Sequence, residues 1–68
     1  MSIGEKIKEL RQKKGVSQQK MAEDILISQS AIASWEVEKN EPTMFNCITI
    51  ADYFDVTLDE LCGRCKNE

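Results

Sequence analysis

The sequence predicts an all-α protein built from five short helices, and three observations carry that prediction. Apolar residues recur at three- and four-residue spacing through each segment. Every segment follows a hydroxyl residue placed to cap a helix, at Ser2, Ser17, Ser28, Thr43 and Thr57. The 68 residues contain one proline and three glycines, and Pro42 falls between two of the expected helices.

The first helix opens on Ser2-Ile-Gly-Glu5, a capping box in which the serine caps the helix and the glutamate reaches back to the serine N–H. It turns Ile3, Ile7 and Leu10 inward, and Gly15 ends it as a left-handed C-cap. Residues 17–36 then read as two short helices joined by a tight turn. Met21, Ala22 and Ile25 form one apolar stripe, Ile32 and Trp35 form the other, and Ile27 plugs the corner between them. Ala22 is small where the second of these helices must approach closely. Thr43 caps a fourth helix with Cys47, Ile50, Ala51 and Phe54 inward. Thr57-Leu-Asp-Glu60 is a second capping box, opening a fifth helix that buries Leu58 and Leu61 before Gly63 stops it.

Those residues explain a fold; function lies in what they leave outside. On the third helix Gln29, Ser30, Ala33 and Ser34 share a short polar face with no structural duty. A helix held by its partner and presenting small polar groups to solvent suits a DNA major groove. Gln18 and Gln19 follow the Ser17 cap, so their backbone N–H groups face outward where the helix dipole attracts a phosphate.

Taken in order, IGEKIKELRQKKGVSQQKMA, ISQSAIASWE, EPT and IADYFDVTLDELCG, spanning Ile3 to Gly63, resemble the helix-turn-helix domain of the Cro and phage-repressor family. The resemblance implies a compact, lambda-repressor-like five-helix bundle over residues 1–63 with a short tail at 64–68. It implies a transcriptional regulator, usually a repressor, bound as a homodimer to double-stranded DNA with a palindromic operator. The positions matching Gln29, Ser30 and Ser34 meet base edges in that family, and Ala33 can pack on a thymine methyl. Lys39 and Asn40 fall in the connection that grips the phosphate backbone. Arg11 and Glu36 match a pair that orients the end of the third helix and leaves Arg11 near a phosphate.

The chain departs from the family pattern at three glycine positions. Leu26 and Asp55 replace glycines in turns, and Val37-Glu38 replaces Asn-Gly after Trp35-Glu36. Because leucine is strained at positive φ, the turn at Leu26 is expected to be slightly altered, whereas Asp55 tolerates that conformation. Glu38 and Glu41 beside Lys39 are expected to weaken phosphate attraction, and the third helix carries no cation of its own.

Charge is divided along the chain. The total is −3, but residues 1–39 hold seven bases against six acids, whereas residues 40–68 hold Arg64 and Lys66 against six acids. The bases therefore concentrate in the half expected to meet DNA. One domain covers few base pairs, so a dimer is expected, through a C-terminal patch of Val56, Leu58, Leu61 and Cys62.

Other function classes find no support. There is no histidine, no nucleophile paired with a base and no phosphate-cradling glycine loop, so no enzyme is expected, and no small-molecule ligand or cofactor is evident. Cys62-Gly-Arg-Cys65 has a zinc-like spacing, but four ligands are not available with Cys47 in the core, so no metal is expected. No segment has membrane-spanning length and no leader pattern is visible, so a cytoplasmic protein is expected. The alternative function is a protein-interaction or antitoxin-like module that keeps the fold with weak DNA binding.

Overall fold

A computed structural model of the chain describes residues 2–62. Five helices follow one another: α1 (Ile3–Lys14), α2 (Gln18–Ile25), α3 (Gln29–Glu36), α4 (Met44–Phe54) and α5 (Leu58–Cys62). The described residues contain no strand. Gly63, the expected stop of the fifth helix, and the 64–68 tail with Cys65 lie outside the described residues.

Each expected cap is present. Ser2 and Glu5 exchange bonds across the first turn of α1, with the Glu5 N–H donating to Ser2 Oγ at 3.2 Å and the Ser2 N–H to Glu5 Oε1 at 3.1 Å. Thr57 and Glu60 do the same for α5, at 2.9 and 3.0 Å. Ser17, Ser28 and Thr43 accept single bonds from Lys20, Ala31 and Asn46. Seven backbone donors at helix starts, which have no intrahelical partner, are thereby satisfied.

The first four helices end alike. A residue with positive φ is followed by one whose N–H reaches back five positions: Gly15 with Val16 to Arg11, Leu26 with Ile27 to Ala22, Glu38 with Lys39 to Ser34, and Asp55 with Val56 to Ala51. This is the Schellman arrangement, which normally seats an apolar residue after the left-handed one. Val16, Ile27 and Val56 conform and pack on the core. At the fourth such end, after α3, the place belongs to the exposed Lys39.

The turn at Leu26 differs from the expectation. Leu26 keeps the left-handed conformation, at φ 60 and ψ 41, rather than relaxing the turn. Ile27 must reach the core and the α2–α3 corner allows few alternatives, so tertiary packing overrides a local preference worth roughly 1–2 kcal/mol.

The core joins all five helices through Ile7, Met21, Ala22, Ile32, Trp35, Cys47, Ile50, Ala51 and Leu61. The inward stripes expected from spacing are those found, with Ile3, Leu10, Ile25, Phe54 and Leu58 half-buried around it. Gly4 is buried as well, and a Cβ there would collide with the carbonyl of Trp35. The first turn of α1 therefore lies directly against the last turn of α3.

Candidate nucleic-acid interface

α3 is fixed from behind at both ends of its buried stripe. Ile32 and Trp35 anchor its inner face. At its C-terminal end Glu36, whose side chain is 4 % exposed, accepts from Arg11 Nε at 2.7 Å, Arg11 Nη2 at 3.1 Å and Gln18 Nε2 at 3.1 Å. Arg11 Nη1 donates to the Val16 carbonyl at 2.9 Å. One carboxylate thus ties the end of α3 to α1 and to the start of α2. The bond to Glu36 raises the Arg11 pKa against the opposing effect of burial, so the guanidinium stays charged.

The expected Arg11–Glu36 fork is therefore present, with a third member that spacing did not reveal. The Gln18 side chain turns inward to Glu36, which leaves its backbone N–H as its outward feature. Three of the five guanidinium N–H groups of Arg11 are engaged within the protein, so its first role is to position α3.

The front of α3 is different. Gln29 and Ser30 are exposed, Ala33 and Ser34 are half-buried, and all four lie on the side opposite Ile32 and Trp35. No side-chain bond within the described residues engages Gln29, Ser30 or Ser34. Gln19, Lys39 and Asn40 are exposed at the flanks. The N–H groups of Lys39 and Asn40 both point to the Ser34 carbonyl, at 2.9 and 3.5 Å, which folds this segment against the end of α3.

Glu38 does not sit as its sequence neighbourhood suggests. Its carboxylate accepts from Ser2 Oγ at 2.6 Å, which sets the negative charge at the positive end of α1.

The C-terminal patch also needs correction. Leu61 is fully buried and belongs to the core, because a five-residue helix has only one inward-facing turn and Leu61 fills it. Val56 and Leu58 are half-buried against the core and Cys62 is half-buried at the helix end. The large apolar groups actually offered to solvent in this half are Met44, Phe45 and Ile48 on α4, with Phe45 77 % exposed. The signal for them was present: α4 carries more apolar residues than one inward stripe can use.

A family model described as Helix-turn-helix matches residues 7–61, which covers α2, α3 and nearly all the packing around them. The chain belongs to the helix-turn-helix family of Cro and phage-repressor type. It is 39 % identical over 61 residues to the HTH-type transcriptional activator BcrR of Enterococcus faecalis, covering 90 % of this chain and 30 % of that protein. It is 38 % identical over 64 residues to the cryptic phage CTXphi transcriptional repressor RstR of Vibrio cholerae, covering 94 % of this chain and 57 % of the relative. The chain therefore spans between about a third and somewhat over half of these two relatives. Among solved structures, the P22 c2 repressor in complex with synthetic operator 9T superposes with a TM-score of 0.85 at 26 % identity, covering 91 % of this chain and 94 % of the other. The restriction-modification controller protein C.AhdI of Aeromonas hydrophila superposes with a TM-score of 0.81 at 27 % identity, covering 87 % and 89 %.

Proposed function

We propose that this chain is a sequence-specific DNA-binding transcriptional regulator, acting as a repressor, that reads the major groove with α3. The observation that carries the reading is the asymmetry of α3, clamped behind by Trp35 and the Arg11–Glu36–Gln18 cluster and uncommitted in front. The named activity of the relatives and the operator bound by the P22 c2 repressor support it. RstR and the P22 protein are named repressors, which favours repression, although BcrR is named an activator.

In this reading Gln29 makes a bidentate contact to adenine, accepting from N6 and donating to N7. Ser30 and Ser34 bond to neighbouring base edges and Ala33 packs on a thymine methyl. The backbone N–H groups of Gln18 and Gln19 at the start of α2, together with Lys39 and Asn40 at the end of α3, hold phosphates on either side. Arg11 contributes to phosphate binding through the guanidinium protons left over from its pair. A protein of this kind works in the cytoplasm, needs no cofactor and catalyses nothing. Residues 1–63 form the DNA-binding domain and 64–68 a tail.

A homodimer on a palindromic operator supplies the selectivity that one α3 lacks, by placing two copies one duplex turn apart. With Leu61 withdrawn into the core, the apolar surface for a second copy is Met44, Phe45 and Ile48, beside the half-buried Val56, Leu58 and Cys62. So small a patch gives a weak dimer that forms mainly on DNA.

Selection from a pool of random duplexes tests the function. Enrichment of one two-fold symmetric motif is the expected result, and a pool unchanged after successive rounds would overturn it. Sedimentation on the enriched duplex then tests the assembly. Two chains per duplex are expected for the parent, and a complex fixed at one chain per duplex at every concentration would remove the dimer.

A further inference from the structure

Two thiols on different helices open into one cavity. Cys47, on the inner side of α4, is 5 % exposed, and its Sγ lies 3.9 Å from the Pro42 carbonyl. Cys62 closes α5 and is half-buried. α4 packs on α5, and the adjoining Leu61 is fully buried, so Cys62 is held against α4 rather than free to wander. Both cysteines line a cavity of about 410 Å³ whose remaining wall includes Trp35, Glu38, Glu41 and Pro42. None of these thiol features is used in reading DNA.

We propose that Cys47 and Cys62 form a dithiol site whose reagent is a small disulfide admitted through this cavity, and whose product is a bridge between α4 and α5. The two thiols have different roles. Burial, then the neighbouring Cys62, push the Cys47 thiol up, so it stays protonated near neutral pH and is a poor first nucleophile. Cys62, the more accessible sulfur, reacts first. It loses its proton to solvent and attacks one sulfur of the reagent; the reagent S–S bond breaks, a mixed disulfide forms on Cys62, and one thiolate leaves. Cys47 then loses its proton and attacks the Cys62 sulfur. The mixed disulfide breaks and the second reagent thiolate leaves. Two protein thiols are oxidised and one reagent disulfide is reduced to two thiols.

Glu38 and Glu41 on the cavity wall favour a cationic reagent, and the cavity has room for the half that stays attached after the first step. The bridge closes a short loop containing the α4–α5 turn, so it constrains the unfolded chain and raises the thermal midpoint.

The test treats the full folded chain with cystamine and maps the products by proteolysis and mass spectrometry. The expected product links Cys47 to Cys62, forms faster as pH rises because each step needs a thiolate, and melts several degrees higher until a reductant is added. Cys65→Ser is expected to form the same bridge, and the double variant Cys47→Ser/Cys65→Ser to stop at the mixed disulfide on Cys62. A Cys62–Cys65 bridge in the parent, or a Cys47 that stays unreacted in both the folded parent and Cys65→Ser, would overturn the proposal.

Discussion

The back and the front of α3 obey opposite rules. Behind, almost every group has a partner: Ile32 and Trp35 in the core, Glu36 bonded to Arg11 and Gln18, and the Trp35 carbonyl pressed against Gly4. In front, Gln29, Ser30 and Ser34 are not engaged by other side chains of the described residues. The four helix ends make the same distinction in miniature. Three send an apolar residue back to the core after the left-handed position, while the end of α3 sends out Lys39. Rigidity behind and freedom in front are what a reading surface requires, because a base-contacting side chain discriminates only if its backbone is held.

If the back is structural, changes there must act on folding first. Arg11→Met leaves a nearly buried Glu36 with only Gln18 as partner, and the expected destabilisation is roughly 3–5 kcal/mol in chemical denaturation. Glu36→Leu added to it should recover part of that loss. Strictly additive effects in the cycle would show that the two residues act independently. Gly4→Ala probes the same contact from α1. Pushing a Cβ toward the Trp35 carbonyl should cost about 1–3 kcal/mol, and an unchanged denaturation midpoint would mean that α1 does not bear on the end of α3.

Leu26 offers a contrast within the scaffold. It is 89 % exposed and holds φ 60, so Leu26→Gly removes little packing and relieves left-handed strain. A gain of about 0.5–1 kcal/mol is expected after allowing for glycine's larger unfolded-state entropy. The same exchange at Glu38 should gain less, because it also removes the bond to Ser2.

The smallest effect concerns Asp24 and Tyr53, which link α2 to α4 through a 2.6 Å bond from the Tyr53 hydroxyl. That bond is the chief cause holding the Asp24 carboxyl below its ordinary pKa. Burial, then the same bond, push the Tyr53 phenol up to about 12. A depressed carboxyl stabilises above its unfolded pKa of about 4 and loses that as pH falls; a raised phenol stabilises below about 10 and loses that as pH rises further. The pair therefore contributes between those limits. Asp24→Asn should flatten the acid limb of the stability profile and bring the Tyr53 titration closer to that of a free phenol.

What could be read from the residues alone divides along the same line. Caps and stripes are local, so Ser2 with Glu5, Thr57 with Glu60, and Ile32 with Trp35 were plain from spacing. The bonds from Ser2 to Glu38 and from Gln18 to Glu36 join residues far apart in the chain, and no periodicity encodes them. The capping box and spacing of α5 point Leu61 inward, as found, but they do not say that this withdraws it from the C-terminal patch, because a five-residue helix has too few turns for both roles to be told apart. Spacing does not reveal the exposure of Phe45, because α4 is apolar on more than one side, which hides its outward direction.

Gln29 is exposed on the front of α3, in its first turn and outside the clamp. Parallel site selection with the parent and Gln29→Ala therefore tests the central claim most directly. The expected outcome is a motif that keeps its half-site spacing but loses preference at one base pair in each half, a change of roughly 1–3 kcal/mol there, with the melting temperature unaltered. Identical preferences at every position for the two proteins would contradict the reading of α3 as the recognition helix.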